Sequence, residues 1–427
     1  MKKSLALFSI PLLALMTACN GQVKKEEKEA LAKQPANVVK TAIGDITLPP
    51  PYATESKTKN SKVIGWPEGK TPKAPEGFTV TKFADGFENP RWSYIGPNND
   101  IFVVESGTRT SKNQIIVLRD KDKDGKYETR EVFKSGLNRP LGMLILNDFF
   151  YIANTDGLYR YPYKNAPLKL ETKGTKIVEL PAGGYNNHWT RSLLANPEGT
   201  KIYIGVGSGS NVGENGMDKE IRRAAILEIN SDGTDEKIYA DGLRNPMGMD
   251  WNPANKKELW TAVNERDELG DDLVPDYITS VKRGGFYGWP YSYFGSIPDP
   301  RWKGKGERKD LIEKAIVPDV PVGAHTASLG LAFYTKDAFP AKYKNGAFVG
   351  QHGSWNRSVI SGYKVLFVPF KDGKPSGKPE DFLTGFISDE NKAEVYGRPV
   401  AVTVMNDGSL LVNDDSSNTI WKVTANK

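Results

Sequence analysis

Cysteine is almost missing from this 427-residue chain: Cys19 is the only one. No intramolecular disulfide can therefore brace the fold, even in an oxidising compartment. Histidine is nearly as scarce, with three residues, His188, His325 and His352. The formal net charge of +6 comes without a basic helix or zinc-finger spacing, because Lys and Arg are scattered among 52 acidic residues. That pattern argues against nucleic acid as a partner. The apolar run Leu5–Met16 is too short to cross a bilayer as a stable helix. Turn formers are plentiful, with 42 Gly and 28 Pro, and 38% of residues are hydrophobic. Such a composition suits a large globular core built from many short elements.

Lys2 and Lys3 precede the apolar run, and Met16-Thr17-Ala18-Cys19 ends it. Residues 1–19 thus resemble a lipoprotein-type signal peptide whose lipobox would lipidate Cys19, with an ordinary signal peptide as the alternative. Either reading predicts export to the cell envelope. Asn20 after the cysteine favours the outer membrane facing the periplasm, with membrane contact through the lipid anchor only. Residues 20–64, charged and then proline-bearing, read as a flexible tether. The folded domain is expected over residues 65–427.

Within that domain, six polar clusters each introduce an apolar strand, a polar turn and a second apolar strand. They read NPRWSYI from Asn89, NRPLGML from Asn138, HWTRSLL from His188, RNPMGMD from Arg244, HTASLGL from His325 and GRPVAVT from Gly397. The first four recur at intervals of about 50 residues, and the fourth and fifth units carry insertions. A unit of this size holds four short strands, so the repeat predicts an all-β, six-bladed β-propeller.

Each unit opens with a hairpin, for example Ile202–Val206 after Asn196-Pro-Glu-Gly. Antiparallel strands return the chain to its starting end. One face should then collect Glu105, Asp156, His188, Ser208, Arg244, Asn264, Glu265, His325, His352 and Arg398. Asn-Pro and Arg-Pro could be turn chemistry alone. As a set, however, the arginines make a positive field that asks for a small, planar, multiply anionic ligand.

The fragments NNHWTRSLL (from Asn186), DGLRNPMGMDWNP (from Asp241), WTAVNERDELGDDLVPDYITSVKRGGFYGWPYSYFG (from Trp260), GQHGSWNRSVISGYKV (from Gly350) and VYGRPVAV (from Val395) resemble the sorbosone dehydrogenase family. That family is similar to soluble aldose and glucose dehydrogenases that use pyrroloquinoline quinone. The resemblance covers about residues 75 to 424. It implies a quinone in the propeller funnel with calcium against it, a sugar or sugar aldehyde as substrate and an envelope electron acceptor. His188 matches the general base, a role that suits a neutral imidazole. Arg244, Asn245, Arg398, Arg357 and His325 are the cofactor-binding candidates. Asn138 and Arg191 are the substrate candidates, and Phe286–Tyr291 is either a stacking platform or blade packing.

The segment Asn264-Glu265-Arg266-Asp267 matches the place where the relatives hold calcium, partly through main-chain carbonyls. A second motif, Asp120, Asp122 and Asp124 with Glu128 and Glu131, has EF-hand-like spacing; it reads as a structural calcium loop or as an acidic turn between strands. Ser208 stands where the relatives place an acid that orients the base, leaving Glu214 as a substitute. Three classes of function follow: a quinoprotein sugar dehydrogenase, a calcium-dependent lactonase, and a cofactor-free binding propeller. The arginine set favours the first.

Overall fold

The computed structural model describes residues 23–107 and 111–426. The signal segment, including Cys19, lies outside the described residues. Among those described, the chain is nearly all β, and no helix is long and apolar enough to cross a membrane.

Six sheets follow one another along the chain, each built on four antiparallel strands. The first holds Pro90–Ile95, Ile101–Glu105, Gln114–Arg119 and Thr129–Lys134. The third begins with Arg191–Ala195 and Lys201–Val206, the fourth with Pro246–Trp251 and Leu259–Val263, and the fifth with Ser328–Phe333 and Ala347–Gln351. The sixth joins the two chain ends, because Phe78–Ala84 pairs with Thr419–Ala425. Every expected polar cluster precedes the first strand of a sheet or runs into it, as Pro and polar residues at a strand start allow.

The second strand is buried along its length in the first, fourth, fifth and sixth sheets. It is covered on both faces, which explains the missing polar alternation. Phe102 of the first sheet meets Phe150 of the second edge to face, with centroids 4.9 Å apart; fully burying such a ring stabilises by roughly 2–3 kcal/mol.

Neighbouring sheets are tied in order. Ile145 N donates to Tyr94 OH, Gly142 N to Arg191 O, Trp251 Nε1 to Ala195 O, Phe333 N to Asp250 Oδ2, and Tyr334 OH to Gly408 O. Thr403 Oγ1 then donates to Ser93 O at 3.2 Å, linking the sixth sheet to the first. The first strands crowd together: a Cβ on Gly248 would lie 2.3 Å from Leu331 N.

Residues 23–64, expected as a tether, are instead structured and packed on the domain. Lys25–Leu31 is helical, and Asn37–Thr41 pairs with Gly44–Leu48. Val39 and Leu48 are buried in the cluster that contains Leu269 and Tyr277. Tyr52 N donates to Leu269 O at 2.7 Å, Asp271 N to Thr54 Oγ1 at 2.7 Å, and Lys59 N to Trp355 O at 2.7 Å. These apolar residues are too widely spaced to outweigh the charge of the segment in a composition reading.

Candidate active site

All three histidines line one cavity, together with Arg91, Asn245, Asn264, Asp267, Trp189, Trp355, Arg244 and Arg398. The hairpin argument placed six of these on one face. Glu105, Asp156, Ser208 and Glu265 do not reach the cavity wall.

His188 precedes the first strand of the third sheet and is buried. Its Nδ1 lies 2.9 Å from both the carbonyl oxygen and Oγ of Ser208, and that Oγ donates its own proton to Ser210 O at 2.6 Å. Both neighbours therefore accept, so Nδ1 carries the proton and the Nε2 lone pair is free. Nε2 has no partner among the described residues. Burial, reinforced by the charge of Arg244, lowers the His188 pKa to about 3, so the ring is neutral near pH 7. Glu214 is not the orienting group; its carboxylate accepts from Asn211 N and Val212 N.

His352 is the second neutral ring. Its Nε2 donates to Asp415 Oδ1 at 2.8 Å, and Asp415 also takes Arg91 Nη1. Burial and then the charge of Arg398 lower its pKa to about 4. Sequence reasoning missed Asp415, which follows the sixth sheet's second strand with no motif to mark it.

His325 differs, because both nitrogens meet acceptors: Asp267 Oδ1 at 3.1 Å and Gly270 O at 2.8 Å. Burial opposes its protonation, but the hydrogen bond to Asp267 and that carboxylate's charge raise its pKa overall. It braces the Asp267–Gly270 loop and has no nitrogen left for a cofactor.

Arg244 is 1% exposed and spends its donors on the protein. Nε reaches Asn211 O, Nη1 reaches Asn264 O and Glu265 O, and Nη2 reaches Asn211 Oδ1 and Asp267 Oδ2. It is a fixed charge at the cavity wall and not the open carboxylate fork expected from the sequence. The open groups are its neighbours in the cavity. Asn245 makes no side-chain hydrogen bond among the described residues, and its Oδ1 is buried without a partner. Arg398 gives Nε to His352 O and Nη2 to Gly353 O, which leaves Nη1 uncommitted among the described residues. The unpartnered Asn245 amide and the Arg398 guanidinium line the same cavity, where both are available to a polar ligand.

Several expectations are corrected. Arg191 is fully buried; it donates to Pro181 O, His188 O and Thr190 O, and so supports the His188 loop from beneath instead of meeting substrate. Asn138 bonds Asp156 and Arg357 bonds Asp272, both away from the cavity wall. Tyr287 and Trp289 are core residues, with Trp289 Nε1 on Asn211 O. Glu265 and Arg266 turn into a buried ion network with Asp299 and Arg301. The Asn264 and Glu265 carbonyls and the Asp267 carboxylate are taken by Arg244 and His325, so the segment does not fit calcium. At the second motif, the carboxylates of Asp120, Asp122, Asp124 and Glu128 converge within 4.8 Å of one another. Glu131 is not among them; it lies on the adjoining strand near Lys169.

Trp189 and Trp355 supply the cavity's aromatic surface, and no charge or turn pattern singled them out. Arg91 and Arg139 lie over the Trp189 ring, 6.0 and 5.8 Å from its centroid.

An uncharacterized protein of Borreliella burgdorferi is 28% identical over 367 residues, spanning 83% of this chain and 90% of that one. A pyrroloquinoline quinone-dependent pyranose dehydrogenase of Coprinopsis cinerea is 22% identical over 409 residues, and the match takes in 81% of this chain but 53% of that protein. The chain thus spans about half the length of that curated relative. Its solved PQQ domain, in holo form, superposes with a TM-score of 0.68 at 19% identity, over 85% of this chain and 99% of that one. A Trichoderma reesei enzyme of carbohydrate-active family AA12 gives 0.69 at 19% identity, over 86% and 100%. These likenesses bear out the resemblance to soluble quinone-dependent sugar dehydrogenases and the β-rich fold. The TrAA12-like family profile matches residues 72–277 and 307–426, and the chain belongs to that family.

Proposed function

We propose that this protein is a quinoprotein sugar dehydrogenase on a six-bladed β-propeller, with pyrroloquinoline quinone as its cofactor and His188 as general base. One observation carries the reading. A neutral imidazole with a bare Nε2 faces the same cavity as the unpartnered Asn245 amide and the free Nη1 of Arg398. Asn245, Arg398 and Arg91 would hold the carboxylate-bearing cofactor, with the charge of Arg244 behind them. When bound, the quinone supplies the two-electron acceptor that takes hydride as the sugar hydroxyl becomes a carbonyl. The chain's own part is the proton: Nε2 accepts it from that hydroxyl, while Ser208 keeps the ring in the productive tautomer. Trp189 and Trp355 offer apolar faces against which a sugar ring can lie. Aldoses and related sugar aldehydes of the sorbosone type are the proposed substrates.

The amino-terminal sequence supports a reading in which the reaction takes place in the cell envelope, with Cys19 as lipid anchor and an envelope acceptor for the electrons. Metabolic labelling with a radioactive fatty acid should mark the wild type and spare Cys19→Ser; labelling of both would remove the anchor from this reading. The enzymatic test is to titrate purified protein with the quinone while following absorbance, then add aldoses with an artificial acceptor. Saturable binding and sugar-dependent bleaching are expected, with bleaching lost in His188→Gln. Absence of binding at micromolar quinone would sink the proposal.

A further inference from the structure

The calcium expected at Asn264–Asp267 would need six to eight oxygen ligands, and the oxygens there are already engaged. Arg244 Nη1 takes Glu265 O at 2.5 Å and Asn264 O at 3.2 Å. Asp267 gives Oδ2 to Arg244 Nη2 at 3.0 Å and Oδ1 to His325 Nδ1 at 3.1 Å. The Asp267 carbonyl accepts from Asn211 Nδ2 at 3.2 Å and Arg301 Nη1 at 2.8 Å. A divalent cation on these atoms would have to displace a guanidinium whose five donors are all satisfied, and would then sit against its charge. Arginine does not deprotonate to make room.

We propose that Arg244, held by Asn211, Asn264, Glu265 and Asp267, occupies the place of a divalent cation, so that the anionic quinone binds this cavity without calcium. The inference rests on the quinoprotein reading above and adds a condition to it. A guanidinium locked by protein acceptors is a preorganised positive charge, and it does the electrostatic part of a metal's work toward an anion. Arg398 Nη1 and the Asn245 amide remain for directional contacts. The acidic loop at Asp120 is not part of this cavity, so calcium binding there would not bear on the result.

The test is quinone affinity of the full-length protein, measured by calorimetry in EGTA and again in millimolar calcium, with no sugar present. The two dissociation constants should agree within about threefold. Tighter binding in calcium by more than that overturns the inference while leaving the quinoprotein reading intact. Binding in neither buffer overturns that reading, and the inference with it. Arg244→Ala provides the converse. Removing the guanidinium frees the Asn264 and Glu265 carbonyls and the Asp267 carboxylate, so quinone binding should weaken by about tenfold or more in EGTA and recover in calcium. Wild-type affinity of Arg244→Ala in EGTA would show that Arg244 is not the substitute. If that variant fails to fold, Arg244→Lys, which keeps the charge, should still bind quinone equally in both buffers, and a calcium requirement in it would count against the proposal.

Discussion

Ser208 offers His188 two oxygens and no proton: its carbonyl oxygen and Oγ both lie 2.9 Å from Nδ1, and the hydroxyl proton goes to Ser210 O. The tautomer is set by acceptors instead of by the carboxylate expected from related enzymes. His188→Gln should lower kcat by about 10²–10⁴ and leave quinone affinity within a few fold. Ser208→Ala keeps the carbonyl acceptor and should lower kcat by less than about tenfold. Steady-state kinetics with quinone-loaded variants checks both. A Ser208→Ala loss as large as that of His188→Gln would mean that the hydroxyl, not the carbonyl, sets the ring.

The buried His188 ring also predicts an acid-sensitive fold. Its pKa is about 3 in the native protein against 6.5 for the free side chain, through burial first and the charge of Arg244 second. Below pH 6.5 the unfolded chain takes the proton before the folded one does. The stability associated with a neutral His188 is complete above that pH and is lost as pH falls toward 3. Between pH 7 and pH 5 the loss is about 2 kcal/mol for this one residue. Urea unfolding of wild type and His188→Gln at both pH values should show a fall smaller by that amount in the variant. Equal pH dependence would mean that His188 titrates normally.

Much of this architecture is legible in the sequence, because each sheet announces itself twice, by a polar cluster at the first strand and by a turn such as Asn406-Asp-Gly before the second. The histidines were legible for the same reason, since hairpin geometry alone carries His188, His325 and His352 to one end. The direction in which Arg244 spends its donors was not. It depends on Asn211 and on carbonyls of Asn264 and Glu265, and main-chain acceptors leave no side-chain signature. Arg191 misled for a related reason: it sits three residues from His188, yet its guanidinium turns to Pro181 O below the loop.

The amino-terminal strap is a further case, and it can be tested. Tyr52 N and Thr54 Oγ1 bond the Leu269–Asp271 loop, and Lys59 N bonds the carbonyl of Trp355 at the cavity. A chain starting at Gly65, where composition placed the domain boundary, would lose these bonds and the burial of Val39 and Leu48. Loss of stability by at least ~3 kcal/mol is expected from two buried aliphatic side chains alone. Quinone affinity should weaken as well, because the loop carrying Asp267 loses its backing. Thermal unfolding and quinone calorimetry of the shortened chain measure these effects. Wild-type values in both would return the segment to the role of a tether.

Gly207 offers the most local test of whether His188 and Asn245 work as one site. A Cβ placed there would lie 2.3 Å from Asn245 Oδ1 and 2.5 Å from His188 Cβ, far inside van der Waals contact. The Asn245 amide is the end of a side chain and can rotate, but His188 Cβ is anchored to the backbone and can move only with its loop. That loop is clamped from below by Arg191, through bonds to the carbonyls of His188 and Thr190. Gly207→Ala should therefore cost roughly 1–3 kcal/mol of stability. It should also weaken quinone binding through Asn245 and lower kcat through His188, whereas Asn245→Ala should weaken binding with the smaller effect on kcat. Separate titration and turnover measurements on the two variants distinguish these outcomes. If Gly207→Ala binds and turns over as wild type does, the close packing of His188 and Asn245 around Gly207 is not what positions the base.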